Sequence, residues 1–391
     1  MDARVSRFSV PRLALALILV MCWAAPAAAQ LFETRAKEAI LVDSDTGTVL
    51  FSKNPDKPVP PASLAKLMTM EVVFNALKNG RLTMDDEFLV SENAWRKGGA
   101  VSGGSTMFAE LNSSIRLEDL IKGVIVQSAN DGCIVIAEGM AGSEENFARV
   151  MTARARKIGL EHSVFRNSTG LPDPDQKVTM RDLAKLARYI QHEYPVYYKF
   201  YSLREFTWNK ILQRNRNPLL AMDIGADGMK TGYTEESGYA IVGSVKRDGR
   251  RLIAAMSGLP DERSRGEEAR KLLDWGIRAF EPYEIFKKNE IIGNVRLYGG
   301  AQMTVPVTVK DDLEILLPIT DRDRMKARVV YTGPVPAPVH AGDKIASLKI
   351  WIGDDLSQET PLYAAQSVGI GPIHRRAFDA LTELLLGWIP R

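Results

Sequence analysis

Ser63-Leu64-Ala65-Lys66 places a hydroxyl and an amine three residues apart, and it is the only S-x-x-K match in the chain. On a helix that spacing puts both side chains on one face at neighbouring height. A serine hydroxyl becomes an effective nucleophile only when a neighbour takes its proton. A lysine can do so only where burial or nearby positive charge holds it neutral. A helix start also aims backbone N–H groups, that of Ser63 among them, at developing negative charge. Taken alone, the same four residues read more simply as an N-cap serine followed by a solvated lysine.

Two further polar groups interrupt apolar sequence. Ser128-Ala129-Asn130 falls at the break between two apolar helical runs, where it must either cap a helix or face a cleft. Ser52-Lys53-Asn54 and Ser91-Glu92-Asn93 share the S-x-N pattern but lie in charged, turn-like surroundings. Lys230-Thr231-Gly232 immediately precedes an apolar strand run, and its glycine permits close approach of a ligand to the backbone. An edge-strand lysine that discourages aggregation is the plain alternative.

The elements that must position these residues can be read from periodicity. Ile40–Val42 and Val49–Phe51 flank a turn-rich stretch ending in Gly47, which predicts a hairpin. After Pro60-Pro61 the apolar period becomes helical through Leu64, Leu67, Met68, Val72, Val73 and Leu77, ending near Asn79-Gly80. Residues 117–170 read as helical with short polar breaks. Strands are predicted at Gly238–Val245 and Leu252–Gly258, joined by the charged turn Lys246-Arg247-Asp248-Gly249-Arg250, and a helix from about Arg265 to Phe280. One sheet assembled from both chain ends and covered by helices gives an α+β domain over 30–282. Short strands at Met303–Val309, Leu313–Ile319, Ala327–Val330 and Ile345–Ile352 then predict a small all-β sandwich over 283–368.

Composition narrows the chemistry. The 391 residues are 45% hydrophobic and 25% charged with a net charge of +3, which excludes a disordered chain and argues against a nucleic-acid partner. Two cysteines and four histidines offer no cluster at metal-ligand spacing, so no metal is expected. Residues 1–29 read as an export signal: Arg4, Arg7 and Arg12 precede the apolar run Leu13–Trp23, and Ala27-Ala28-Ala29 precede Gln30. Cys133 is then the one remaining cysteine, and its apolar flanks predict a buried helix position.

S-x-x-K, S-x-N and K-T-G in this order form the signature of class A β-lactamases and penicillin-binding proteins. Together with Pro61–Thr69, Gln127–Asp131, Asp227–Thr234 and Leu272–Gly276, they make the chain resemble the D-alanyl-D-alanine carboxypeptidases, the low-molecular-mass penicillin-binding proteins, over essentially all of its mature length. The resemblance implies a β-lactamase/transpeptidase-like fold and a serine peptidase without cofactor. Ser63 would be the acylated nucleophile, Lys66 its general base and Ser128 a proton relay to the leaving amine. Asn130 would hold the substrate amide, Lys230 would place positive charge beside Ser128, and Thr231 would bind the terminal carboxylate. Gly232 would complete the substrate-binding strand, with the N–H groups of Ser63 and Tyr233 as the oxyanion hole. Arg265 stands where the family places a carboxylate-binding arginine, with Arg263 close enough to leave that choice open. Ala129 stands where the family often has glycine, and Tyr233 where well-known members have histidine.

The implied reaction removes the terminal D-alanine from peptidoglycan stem pentapeptides through an acyl-enzyme, with β-lactams acylating the same serine. The alternatives are an endopeptidase acting on peptidoglycan cross-links, a β-lactam sensor without turnover, and a β-lactamase. The last needs a water-activating glutamate, and Glu161, six residues before Asn167, does not give the E-x-x-x-N spacing. Finally, Ile373, Ala377, Phe378, Leu381, Leu384, Leu385 and Trp388 against His374, Arg375, Arg376, Asp379 and Glu383 describe an amphipathic helix. Within 369–391 it predicts an in-plane anchor on the periplasmic face of the cytoplasmic membrane.

Overall fold

The computed structural model describes residues 32–319, 325–353 and 355–386. The proposed export signal, Gln30 and Trp388 lie outside them. At the centre is a five-stranded antiparallel sheet in the order Val49–Lys53, Glu38–Asp43, Arg250–Leu259, Gly238–Arg247, Ala226–Thr234. The two chain ends therefore meet in one sheet, as the sequence predicts. All six residues of Glu38–Asp43 are buried because both faces are covered. Ile40 and Val42 join the core formed with Leu183, Ala184 and Ile190 of the helix Met180–Glu193. Leu41 points the other way, toward Gly276 of the helix Glu262–Ala279, as alternation along a strand requires.

Two strands run further than apolar residues alone suggest. Gly238–Arg247 and Arg250–Leu259 include the charged residues expected to form the turn, leaving Asp248-Gly249 as a two-residue connection. Both take positive φ (53° and 78°), the geometry that matches strand twist in a tight hairpin. The sequence reading placed Lys230-Thr231-Gly232 before the strands. The fold places it inside Ala226–Thr234, the sheet's edge strand.

The helix Lys66–Lys78 follows a short 3-10 turn, Ala62–Ala65, and is buried on nearly every side rather than along a stripe. Leu117–Lys122, a π-turn at Gly123–Gln127, Asn130–Ala141 and Glu144–Lys157 pack around it. The polar break expected at Ser128-Ala129 is real. Ser128 adopts a left-handed conformation (φ 64°, ψ 33°), ending one helical run so that the next begins at Asn130.

The helix Glu262–Ala279 leads directly into the strand Phe280–Phe286, which pairs with Leu313–Pro318. Six further strands form a second sheet ordered Met325–Val330, Lys344–Ile352, Asp355–Ala364, Thr304–Thr308, Ile291–Tyr298, Val335–Pro336. Val295, Val305, Ile315, Leu317, Ile350 and Leu362 from both sheets share one apolar core, which makes this region a sandwich. It is tied to the N-terminal hairpin by Thr48 Oγ1, which donates to Gln358 Oε1 (2.9 Å), and by Ser357 Oγ, which donates to Val49 O (3.0 Å).

Candidate active site

Pro60-Pro61 ends any strand pairing, and the chain turns into the Ala62–Ala65 segment that carries half-buried Ser63. Three residues on, Lys66 is 1% exposed. Its Nζ donates to Ser63 Oγ (3.0 Å), Asn130 Oδ1 (2.8 Å) and Thr169 O (2.5 Å). The solvated-lysine reading is thereby excluded, and the amine lies in proton-transfer reach of the serine hydroxyl. Burial pushes the Lys66 ammonium down to about 8, with the Arg216 charge acting in the same direction.

Asn130 is fixed by its own backbone N–H, which donates to Ser105 O (2.7 Å). Its neighbour Asp131 is fully buried and accepts from Thr106 Oγ1 and from the N–H groups of Met107, Ala109 and Gly132. One carboxylate thus clamps the 105–109 segment beside the site. Ser128 is 2% exposed, and among the described residues its Oγ has no hydrogen-bond partner. A buried hydroxyl without a partner costs roughly 1–3 kcal/mol, and such a group in a cleft is one that a ligand can satisfy.

Lys230 and Thr231 are buried on the edge strand, with Lys230 Nζ donating to Thr231 O (3.2 Å). Burial, reinforced by the charges of Lys66 and Arg216, holds the Lys230 ammonium well below the ordinary lysine value. Gly232 is where the strand meets the nucleophile turn: a Cβ there would lie 3.1 Å from Ala62 Cβ and 3.2 Å from Ser63 N. A side chain there would need the strand or the nucleophile turn to give by a few tenths of an ångström. On the other side Gly170 (φ +84°) closes the gap, since a Cβ there would lie 1.7 Å from Ala62 O.

The two arginines differ sharply. The Arg263 side chain is 87% exposed and pairs with Glu267 (2.7 Å). Arg265 is buried and donates from Nη2 to Glu262 Oε1 (2.7 Å), and its Nε has no hydrogen-bond partner among the described residues. The sequence reading missed Arg216, whose Nη1 donates to Ser105 Oγ (2.6 Å) and whose charge reaches both lysines. It also missed the loop that supplies Thr169 O. There Asn167 Oδ1 accepts from Thr169 N (3.2 Å) and Gly170 N (2.7 Å), while Glu144 accepts from Ser168 N and Oγ. Asn-Ser-Thr-Gly is a turn signal in the sequence, but nothing in it tells which carbonyl faces inward. Glu161 is exposed. Cys133 is buried as expected, and burial pushes its thiol up to about 12.

Residues 24–260 match the D-alanyl-D-alanine carboxypeptidase family. The chain belongs to that family. Within these D-alanyl-D-alanine carboxypeptidases, residues 280–369 match the C-terminal domain of penicillin-binding protein 5. D-alanyl-D-alanine carboxypeptidase DacC of Escherichia coli (strain K12) is 35% identical over 356 residues, covering 90% of this chain and 89% of the relative. A D-alanyl-D-alanine endopeptidase of the same organism is 30% identical over 253 residues, covering 60% of this chain and 78% of the relative. Penicillin binding protein 5 from Haemophilus influenzae superposes with a TM-score of 0.72 at 34% identity, covering 87% of this chain and 99% of that structure.

Proposed function

We propose that this chain removes the C-terminal D-alanine from peptidoglycan stem pentapeptides through an acyl-enzyme at Ser63. The observation that carries the reading is the buried Lys66 amine, 3.0 Å from the Ser63 hydroxyl and held by Asn130 and Thr169. In its neutral form Lys66 takes the Ser63 proton as Oγ attacks the carbonyl carbon of the terminal peptide bond. The N–H groups of Ser63 and Tyr233 receive the oxyanion. Ser128 gives its proton to the departing D-alanine amine and takes one from Lys66, which returns the lysine to its neutral form. Water then attacks the ester while Lys66 takes the water's proton and returns it to Ser63 Oγ as the shortened peptide leaves.

Charge supports an anionic chain end as the ligand. The charges of Arg216 and Arg265 both reach the buried Lys230, and that of Arg216 reaches Lys66 as well. The carboxylates of Asp131 and Glu144 are committed to the hydrogen bonds described above. The edge strand Ala226–Thr234 leaves a free row of backbone groups along which an extended peptide can lie, with Thr231 and Arg265 receiving its carboxylate. A carboxypeptidase needs that free end and an endopeptidase does not. A pentapeptide ending in D-Ala-D-Ala is expected to release D-alanine at least about tenfold faster than a cross-linked dimer is split, read by amino-acid and muropeptide analysis. Faster cleavage of the dimer sinks this assignment in favour of the endopeptidase. A persistent penicillin adduct without peptide turnover marks a sensor.

The C-terminal helix supports attachment to a membrane surface after export. Ile373–Leu386 is fastened by its polar side: Asp379 Oδ2 accepts from Gly299 N (2.8 Å), and Glu383 lies 3.7 Å from Arg296. Ile373 (81%), Phe378, Leu381 and Leu384 (80%) are exposed on the other. Among the described residues no helix is long and apolar enough to cross a membrane. An apolar helix face on an anchored base suits in-plane insertion at the periplasmic side of the cytoplasmic membrane. The full chain is expected to sediment with phosphatidylethanolamine/phosphatidylglycerol vesicles, and Leu381→Asp with Leu384→Asp to weaken that binding about tenfold or more. Equal sedimentation of both proteins removes the anchor.

A further inference from the structure

Arg265 lies against an aromatic neighbour that the sequence motifs do not mention. Its guanidinium carbon lies 5.5 Å from the centroid of the Tyr239 ring, inside the range of cation–π attraction. Tyr239 is the direct cross-strand partner of Tyr233 in the sheet, and their rings stack at 4.3 Å with a tilt of 36°. Tyr233 follows the K-T-G triplet, so the stack Arg265–Tyr239–Tyr233 runs from the proposed carboxylate donor to the residue that supplies an oxyanion N–H. Among the described residues its acidic partner is Glu262, with a side chain 73% exposed and three residues earlier on the same helix. A solvent-screened pair of that kind contributes little. Among the same residues the buried Nε has no hydrogen-bond partner.

We infer that Tyr239 is a positioning residue for carboxylate recognition: its π face fixes the Arg265 guanidinium in the orientation that meets the substrate's terminal carboxylate, while Tyr233 keeps the Tyr239 ring in place. The inference rests on the reading of Arg265 as a carboxylate donor given above. A cation held over a ring loses attraction as the ring's negative face is drained, which separates this role from mere packing.

The test uses the full chain and two substrates, a peptide ending in D-Ala-D-Ala and the same peptide as its C-terminal amide. The ratio of their kcat/KM values measures carboxylate recognition. Arg265→Ala is expected to collapse that ratio. Tyr239→Leu is expected to lower it roughly 3- to 30-fold, chiefly through KM for the free acid, and Tyr239→Phe to rescue it. Replacing Tyr239 by phenylalanines carrying one to four ring fluorines keeps the shape, and the ratio is expected to fall stepwise with each fluorine. Stoichiometric penicillin labelling checks that each variant is folded. A ratio that stays level across the fluorine series while Arg265→Ala collapses it overturns the role of Tyr239. A ratio unmoved by Arg265→Ala overturns the carboxylate reading itself, and this inference with it.

Discussion

Ser63→Ala is expected to abolish both D-alanine release and the covalent penicillin adduct, with turnover falling on the order of 10⁴-fold or more. The expectation follows from the site's geometry. Ser63 Oγ is the hydroxyl within 3.0 Å of the buried Lys66 amine, so its removal leaves a base with nothing to deprotonate. Ser128 is itself the left-handed residue at the helix break, and its hydroxyl is not among the groups bonded to Lys66. The fold should survive, since Ser63 is half-buried and its side chain joins no apolar contact of the core. An unchanged melting temperature with lost labelling is the expected pair of results. Persistent labelling of the variant would place the nucleophile elsewhere.

Lys66→Met is expected to slow acylation by about 10²- to 10⁴-fold, the range that a positioned base contributes. Its diagnostic is the pH dependence. Burial pushes the Lys66 ammonium down to about 8, and only the neutral amine can accept the Ser63 proton. The acylation rate of the unaltered protein should therefore rise with pH and level off above about 8. At pH 6 only about 1% of the amine is neutral, so the rate there should be about a hundredfold below the plateau. Lys66→Met should remove that limb and leave a slow rate that is flat across the same interval. The same depressed value links to stability. Between about 8 and the ordinary lysine value the unfolded chain binds a proton that the folded chain does not, so this group's contribution to stability increases as pH rises through that window. Methionine removes the charge at a similar volume but leaves Asn130 Oδ1 and Thr169 O without their donor, so the two effects on stability oppose one another.

The motifs were legible because each binds chemistry to a local rule. Ser63 and Lys66 share a helix face by spacing, Ser128 and Asn130 straddle a helix break, and Gly232 sits where a side chain would strike Ala62 and Ser63. What spacing could not tell was that both lysines are buried and that Arg265, not Arg263, is the buried arginine. Lys66 and Arg265 are buried by elements far away in sequence, and Arg263 differs from Arg265 only in which side of one helix it occupies. Thr169 and Arg216 act through a carbonyl and through long-range charge, neither of which leaves a residue-type signature. In the fold, buried strands with alternating environments were found. The charged residues Lys246, Arg247 and Arg250 read as part of the turn, although Asp248-Gly249 suffices to reverse the chain. Among the β-rich elements, Asp355–Ala364 escaped notice because its polar residues, Ser357 and Gln358, are spent on bonding Val49 and Thr48.

The central claim is that one serine, activated by one buried lysine, carries an acyl group that water later removes. Intact mass spectrometry of the chain mixed with a penicillin, followed over time with D-alanine release from a pentapeptide measured alongside, tests it most directly. A single adduct that localises to Ser63, is absent from Ser63→Ala and accompanies D-alanine release is the predicted result. No adduct, or an adduct on another residue, would contradict it.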